Sequence, residues 1–392
     1  MAKRLLFVDD DANLLAGLRR MLRPMRREWQ ATFCGSGPEA LAEMARQPFD
    51  VVVSDMRMPG MDGAHLLRQV RELYPGTARL VLSGQADRDA ILAGVGPIHQ
   101  YLAKPCNPDT LIATLNRVCA LDEWLPDELL RQRICRLESL PGQPRLVRAV
   151  ADRLTAGGNS LADVGRLVAQ DAGLSLKVLQ LVSSAFLGPK AAPTLPHPAQ
   201  AVTLLGQDAI KTVALTGHAF VPFNADHPSG FPFDDFWRHS RAVAWNASLL
   251  VKSAGGSRAE VDAAYAAGLL HDVGKLALAL ARPEEMAAMQ RAVARQQLPP
   301  AEAEQSVFGR LIHPQVGAYL LGLWGLPPAV VAAVGHHHQP PDSGGMDCHA
   351  AVVTANRLAH NGSAPEHGNP PELETLLIHP ESTRYEHQNS VC

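Results

Sequence analysis

Three short apolar runs in the first hundred residues are each followed by charged side chains, and this pattern most constrains the fold of the chain. The runs are residues 5–8, residues 51–54 and a third that includes Tyr101 and Leu102. The charged residues that follow them are Asp9, Asp10, Asp55 and Lys104. Uninterrupted apolar runs separated by helix-like segments predict buried parallel strands. Because the carboxyl ends of parallel strands meet in one crevice, we expect the three carboxylates and the lysine to converge.

This combination of groups suits phosphoryl transfer. Clustered carboxylates repel one another unless a cation lies among them, and oxygen ligands favour Mg2+. A carboxylate beside a metal and a lysine can attack phosphorus, because both cations offset the charge on the phosphoryl oxygens. In the alternative interpretation, Asp55 caps a helix and residues 9–11 form a solvated turn. The order of four separate elements favours the phosphoryl-transfer site.

These elements resemble the receiver domain of two-component response regulators over about residues 1–120. The matching motifs are Phe7-Val8-Asp9-Asp10-Asp11, Asp55-Met56-Arg57-Met58-Pro59-Gly60-Met61-Asp62-Gly63, Ser83-Gly84 and Tyr101-Leu102-Ala103-Lys104-Pro105. The resemblance implies an α/β domain with a flavodoxin-like, doubly wound parallel sheet of five strands.

The resemblance also implies how the acidic site works. Asp55 would accept a phosphoryl group from a sensor histidine kinase. Asp10, Asp55 and the carbonyl of Arg57 would bind Mg2+, and Asp9 would assist through water.

Three further residues would respond to the phosphoryl group. By the same resemblance, Lys104 would pair with its oxygens, Ser83 would form a hydrogen bond to one of them, and Tyr101 would be the aromatic residue that changes rotamer.

The composition excludes several classes of function. Charged residues make up 19% of the 392 residues and the formal net charge is −3, so we expect no bulk attraction to nucleic acid or to an acidic membrane. The six cysteines form no Cys-x-x-Cys pair, which argues against a disulfide framework or a thiolate zinc site. No run of about eighteen apolar residues occurs, so we expect a soluble, cytoplasmic protein without membrane contact.

The alternation of strands and helices stops near residue 120, and amphipathic helices with Pro and Gly breaks follow. We predict a receiver domain over residues 1–120, a helical linker over 121–140 with a break at Pro126, an all-α domain over 141–360 and a mostly mobile tail over 361–392. About ten helices are expected between residues 146 and 360.

Histidines and one aspartate recur through the helical segment. They are His239, His271, Asp272, His313, His336 and His337. On a helix, Lys275 would lie one turn from His271 on the same face, and Asp272 would still reach a ligand beside that helix. Imidazoles with a carboxylate can bind Fe, Mn or Zn. Each histidine alone could be structural, but their joint occurrence favours a site.

The series resembles the HD superfamily of metal phosphohydrolases, in which a His, a His-Asp pair, later histidines and a final Asp surround one or two metals. The resemblance implies the ligands His239, His271, Asp272, His313, His336 and His337. Lys275 would face the phosphate, and Asn356 stands where the final carboxylate is expected. Because an amide oxygen is neutral and a poorer ligand, we expect weak metal binding and little hydrolysis.

A second resemblance, to the HDOD domain, covers about residues 130–345. It rests on residues 137–144 (Leu-Glu-Ser-Leu-Pro-Gly-Gln-Pro), residues 161–181, Ser184-Ala185-Phe186 and residues 201–206. This HD-related output domain is an all-helical signalling module that commonly lacks a complete catalytic set. The Gly-Tyr-Pro motif of cyclic-di-GMP phosphodiesterases is absent after His337, which argues against that activity.

Two functions remain open. The favoured one is a phosphorelay response regulator whose helical domain acts without catalysis, by binding a protein or a nucleotide ligand. The alternative is a metal-dependent phosphohydrolase controlled by phosphorylation. Direct DNA binding is not expected, because the helical domain has no basic helix-turn-helix signature and no Lys/Arg stripe. The sequence leaves open whether the chain forms a homodimer.

Overall fold

The first part of the chain is an all-parallel sheet of five strands. The computed structural model describes residues 2–84, 96–155, 160–183, 194–215, 227–341 and 344–360. The strands are β1 (Lys3–Val8), β2 (Trp29–Cys34), β3 (Val51–Asp55), β4 (Ala78–Ser83) and β5 (Gln100–Ala103). Their order in the sheet is β2-β1-β3-β4-β5. The predicted doubly wound sheet is confirmed, and its strand order reverses between β1 and β3, where such folds form ligand sites.

Four helices of the described residues belong to this α/β domain: α1 (Ala12–Met21), α2 (Gly37–Arg46), α3 (Gly63–Leu73) and α4 (Pro108–Cys119). Each begins after a residue whose side chain accepts a backbone N–H of the first turn, namely Asp11, Ser36, Asp62 and Asn107. All residues of β3 and β4 are buried, as expected for central strands of a parallel sheet.

The segment after α4 is only partly helical. A 3-10 turn spans Leu121–Glu123, and α5 spans Glu128–Cys135. The break expected at Pro126 is present, because proline lacks an N–H and restricts the residue before it. The helix after it ends at Cys135, so the linker predicted over residues 121–140 is less helical than expected. The segment is nevertheless packed, since five of its apolar side chains are buried, although Leu129 is exposed. The buried ones are Leu121, Leu125, Leu130, Ile134 and Leu140.

Between residues 144 and 360 the described part of the chain forms thirteen helices rather than about ten. They are α6 (Pro144–Thr155), α7 (Leu161–Val168), α8 (Ala172–Ser183), α9 (Pro198–Leu205), α10 (Gln207–Leu215), α11 (Phe233–Ser253), α12 (Arg258–Leu270), α13 (Val273–Ala281), α14 (Pro283–Gln296), α15 (Pro300–Phe308), α16 (His313–Leu323), α17 (Pro328–Gly335) and α18 (Cys348–His360). Proline lies in the first turn of α9, α14, α15, α16 and α17, where its missing N–H costs no hydrogen bond within the helix.

The last helices form the part of the domain that carries the histidines. Helix α11 packs against α12 and α18, and α16 packs against α13 and α17. None of the described helices combines the length and the apolar character needed to cross a bilayer. The tail over residues 361–392, predicted to be mobile, lies outside the described residues.

Candidate functional site

The acidic site lies where β1, β3 and β5 end. Asp9 directly follows β1, Asp55 is the last residue of β3, and Lys104 directly follows β5. The Nζ of Lys104 donates to Asp9 Oδ2 at 2.7 Å and to Asp55 Oδ1 at 2.6 Å. One carboxylate oxygen from each of Asp9, Asp10 and Asp55 lies within 4.8 Å of the others. The structure therefore brings together four side chains that are distant in sequence.

The charges at this site fit a divalent cation with oxygen ligands. Burial raises the pKa of Asp55, although the hydrogen bond from Lys104 acts in the opposite direction. Burial alone would lower the pKa of Lys104, but its hydrogen bonds to Asp55 and Asp9 raise it. Lys104 is therefore cationic at neutral pH. The Lys104 ammonium contacts two of the three clustered carboxyl groups, and such a set of oxygen donors is typical of Mg2+.

The other predicted residues of the receiver lie at the same edge or in β5. Ser83 is the buried last residue of β4, and its carbonyl accepts the backbone N–H of Lys104 at 2.7 Å. Arg57 lies two residues beyond β3 and is exposed. Tyr101 is 1% exposed, and its hydroxyl has no hydrogen-bond partner among the described residues. Tyr101 is therefore in an inward rotamer.

The pair His271-Asp272 lies between two helices and not, as expected, within one. Helix α12 ends just before the pair and α13 begins just after it. At Gly274 a Cβ would lie 1.9 Å from the carbonyl oxygen of His313, so only glycine permits this close approach of α13 to α16. The chain turns at the pair to make that contact. Lys275 consequently donates to Asp272 Oδ2 at 2.7 Å.

Asp272 lies at the centre of the histidines. Its Oδ2 is 3.4 Å from Nε2 of His271 and 3.9 Å from Nε2 of His239. Its Oδ1 is 3.2 Å from Nε2 of His313 and 3.6 Å from Nε2 of His337. Two groups of imidazoles therefore face the two oxygens of one carboxylate. We use the term histidine cluster for His239, His271, Asp272, His313, His337 and His338.

Hydrogen bonds on the far side of three rings fix their tautomers. Nδ1 of His271 and Nδ1 of His337 lie 2.8 Å and 2.6 Å from the carbonyl oxygen three residues earlier. Nδ1 of His313 lies 2.7 Å from Oε2 of Glu304. Because a carbonyl can only accept, Nδ1 of His271 and of His337 carries a proton, so the neutral form of each ring has its lone pair on Nε2, which faces the cluster.

Glu304 is a buried residue of α15 that no sequence motif indicated. Its Oε1 accepts the backbone N–H groups of Ile312 and His313 at 2.7 Å each. Burial alone would raise the pKa of Glu304, but its hydrogen bonds with His313 hold it below the usual value. An ionised carboxylate behind a ligating imidazole is a common arrangement in metal sites.

The spacing of the imidazoles fits a transition metal. The Nε2 atoms of His239 and His271 are 3.2 Å apart, and so are those of His313 and His337. Two nitrogens bound at about 2.0–2.1 Å to one tetrahedral ion would lie about 3.3 Å apart. Lone pairs at this distance repel one another unless a cation lies between them. The donor set therefore fits one or two divalent ions of the Fe, Mn or Zn type.

The protonation states suit the same chemistry. Burial lowers the pKa of His239 to about 3 and that of His338 to about 4, and it holds the pKa of His337 well below the usual value. For Asp272, burial alone would raise the pKa, but electrostatic interaction with His271 and neighbouring hydrogen bonds hold it well below its usual range. At neutral pH these groups are neutral imidazoles and an ionised carboxylate, which are the forms that bind metals.

His336 was predicted as a ligand but lies away from the cluster. Its ring packs against Trp124 with centroids 4.9 Å apart, and its carbonyl accepts from Nε2 of His349 at 2.9 Å. His338 is in the cluster instead, with its Nε2 3.2 Å from that of His313. Helix α17 ends just before these adjacent histidines, so helical spacing does not indicate which of them point inward.

Asn356, at the position expected for the final carboxylate, is buried in α18. Its Oδ1 has no hydrogen-bond partner within the described residues. His360, one turn later on the same helix face, places its ring 4.7 Å from that of His239. This spacing puts Asn356 on the face of α18 that is turned toward the cluster. His360 was not predicted from the sequence, although its spacing of one helical turn from Asn356 places both residues on one helix face.

A pair of alanine variants separates the two adjacent candidates. We expect His338→Ala to weaken Zn2+ binding by at least about tenfold, because it removes an imidazole of the cluster. His336→Ala should leave the affinity unchanged, since that ring contacts Trp124. Competition with a chelator of known affinity measures both. A loss confined to His336→Ala would contradict the placement of these side chains.

Two family models match the chain. The response regulator receiver domain matches residues 5–116, and the HDOD domain matches residues 140–340, which is more than half of the chain. Two curated relatives each match less than a third of the chain. The hydrogenase transcriptional regulatory protein HoxA of Cupriavidus necator is 41% identical over 114 residues, which are 29% of this chain and 23% of HoxA.

A second relative covers a similar share of the chain. The DNA-binding transcriptional regulator NtrC of Salmonella typhimurium is 34% identical over 111 residues, covering 28% of this chain and 23% of NtrC. The chain thus spans about a quarter of these relatives. The solved structure of the MmoQ response regulator from Methylococcus capsulatus is 21% identical, covers 61% of this chain and 92% of its own, and has a TM-score of 0.48. On the family matches and the confirmed sheet, this chain belongs to the HDOD domain family and carries a response regulator receiver domain ahead of its HDOD domain.

Proposed function

We propose that Asp55 accepts the phosphoryl group and that this modification controls the HDOD domain. The observation that carries the proposal is the position of the Lys104 ammonium, 2.6 Å from Asp55 and 2.7 Å from Asp9 at the ends of three strands. In the transfer, an oxygen of Asp55 forms a bond to phosphorus, while the bond between phosphorus and the donor atom breaks. Lys104 then pairs with the equatorial oxygens that carry the developing charge.

The remaining receiver residues support the same step. When bound, Mg2+ would supply positive charge that offsets repulsion among the carboxylates and the phosphoryl oxygens. Asp10, Asp55 and the Arg57 carbonyl would hold it, with Asp9 acting through water. Ser83, at the end of β4, would donate to a phosphoryl oxygen. Tyr101 would report the change through its position in β5.

The phosphodonor would be a sensor histidine kinase, from whose phosphohistidine the phosphorus–nitrogen bond is broken. The functional boundaries that we propose are a receiver domain over residues 1–120, a connecting segment over 121–140 and an output domain over 141–360. The connecting segment would act as the transmitter, because Cys135 contacts both parts. Its carbonyl accepts from the Arg79 guanidinium at 2.6 Å, and its Sγ lies 3.0 Å from Tyr319 Oη.

We assign the output domain a binding function, directed at a protein or a nucleotide ligand, with a metal bound in the histidine cluster. The imidazoles grouped around Asp272 support the metal. Asn356 argues against efficient hydrolysis, because the neutral amide leaves the site one negative charge short of the HD-superfamily pattern. Metal-dependent phosphohydrolysis is the second candidate, favoured by the preserved His271-Asp272 pair with Lys275 beside it.

Hydrogen exchange with and without beryllofluoride, a phosphoryl mimic, tests the proposed function in the full chain. With Mg2+ present, we expect beryllofluoride to change amide protection in residues 96–140, because Lys104 and Ser83 engage the mimic and the strand ends shift. Asp55→Asn should remove that response. An unchanged profile in the wild type, despite bound beryllofluoride, would contradict transmission through this segment.

A further inference from the structure

Helix α16 contacts the histidine cluster at one end and the receiver domain at the other. It begins at His313, whose Nε2 belongs to the cluster. At its last turn, Nε2 of Gln100 donates to the carbonyl oxygens of Gly322 at 3.1 Å and Leu323 at 3.0 Å. The last carbonyls of a helix have no donor within the helix, and Gln100 of the receiver domain supplies one in addition to the backbone N–H of Gly325, which also reaches the Gly322 carbonyl. Gln100 is only 5% exposed, which makes this contact costly to lose.

The strand that carries Gln100 leads directly to the phosphorylation site. Gln100 is the first residue of β5, and Lys104 directly follows its last residue. Lys104 in turn contacts Asp55. A strand of four residues spans about 13 Å and a helix of eleven residues about 16 Å, so β5 and α16 together connect the two sites.

A second contact reaches the same cluster. The Trp124 ring lies so close to Gly335 that a Cβ on Gly335 would be 2.2 Å from it. The same ring packs at a tilt against His336. The next residue, His337, belongs to the cluster. Helix α16 is also held midway, where Tyr319 Oη lies 3.0 Å from Cys135 Sγ in the connecting segment. Helix α16, which carries His313, and the end of α17, which His337 follows, therefore both contact the receiver domain or the connecting segment.

The packing of α16 favours displacement of the whole helix as a rigid body. Nearly all residues of α16 are buried, and a packed helix shifts between discrete positions rather than shortening. Glu304 holds His313 through two hydrogen bonds, one to its backbone N–H and one to its ring, so a shift of α16 also changes a contact that orients a ligand. A change in the position of β5 would therefore reach the imidazole of His313.

We propose that β5 and α16 couple the two sites, so that phosphorylation of Asp55 changes the metal affinity of the histidine cluster. This inference rests on the proposed function. Coupling between sites is reciprocal, and its usual size is about five-fold to 150-fold in affinity. Metal in the cluster must then change the affinity of the receiver for a phosphoryl mimic by the same factor.

Zn2+ titrations of the full chain in saturating Mg2+, with and without beryllofluoride, test the coupling. We expect the Zn2+ dissociation constant to change by about five-fold or more on adding beryllofluoride, and the beryllofluoride constant to change equally on adding Zn2+. This reciprocity is measured on the wild type and needs no variant.

Two glutamine variants then locate the path. Gln100→Met should reduce the coupling factor toward one while each site still binds its own ligand. Gln180→Met is the matched control: Gln180 is also buried and donates to the His99 carbonyl at 3.0 Å across the same interface, but its helix α8 carries no residue of the cluster. Gln180→Met should keep the coupling factor of the wild type.

Each negative outcome has a distinct meaning. Unchanged affinities in a chain that binds both Zn2+ and beryllofluoride would overturn the coupling alone. An equal loss of the coupling factor in both glutamine variants would overturn the path through α16. A wild type that binds no Zn2+ would refute the proposed metal site, and one that binds no beryllofluoride would refute the proposed receiver site; the coupling would fall with either.

Discussion

Asp55→Asn is expected to reduce phosphoryl labelling of the chain to background. With a small phosphodonor such as acetyl phosphate and with Mg2+, the wild type should gain a single acid-stable, base-labile phosphoryl group. The amide of the variant has no anionic oxygen to attack phosphorus, although Lys104 and the other carboxylates remain. Intact-mass measurement before and after alkaline treatment gives the stoichiometry and the lability of the bond.

Asp11→Asn is the matched control for this variant. Asp11 also follows β1, but it caps α1 by accepting the backbone N–H of Asn13 at 2.8 Å, and asparagine caps a helix equally well. Labelling of Asp11→Asn should therefore equal that of the wild type. Undiminished labelling of Asp55→Asn would refute the assignment of the phosphoacceptor.

Asn356→Asp is expected to tighten metal binding by the histidine cluster by about tenfold or more. The side-chain oxygen of Asn356 is buried and lacks a hydrogen-bond partner in the described structure, on the helix face that also carries His360. A carboxylate there adds a negative charge and restores the acidic ligand type of the HD-superfamily pattern. Without metal the same charge is buried and unpaired, so the metal-free variant should be less stable than the wild type.

The gain in metal affinity and the loss of stability without metal are measured in one experiment. The melting temperature of Asn356→Asp should fall below that of the wild type in chelator and rise more steeply than the wild type with added Zn2+. Asn116→Asp places the same charge on an exposed position of α4. It should change neither the melting temperature in chelator nor its rise with added Zn2+. An Asn356→Asp variant with wild-type affinity would show that Asn356 takes no part in the site.

The α/β domain could be predicted from sequence because its signals are local. Continuous apolar runs indicate buried parallel strands, and the rule that carboxyl ends of such strands share a crevice brings Asp9, Asp55 and Lys104 together. Those contacts are in the structure at hydrogen-bond distance.

The histidine cluster could be predicted only in part. His239, His271, Asp272, His313 and His337 converge as expected. The choice between His336 and His338 depends on how the chain leaves α17, and the turn at His271-Asp272 depends on the contact of Gly274 with α16. Glu304 acts through tertiary packing on His313, which no sequence spacing encodes. These are properties of helix ends and of packing between helices, not of periodicity.

The most direct test of the account is whether the metal-loaded, phosphorylated chain turns over phosphodiesters or nucleotides. The claim is that phosphorylation acts on an output domain that binds rather than hydrolyses. Elemental analysis of the wild type and of His271→Ala should first establish the metal content, which we expect to be low in the variant. We predict that turnover by the wild type does not exceed that of His271→Ala for any substrate in the screen. Robust wild-type turnover that disappears in His271→Ala would contradict the claim and make the protein a phosphorylation-controlled phosphohydrolase.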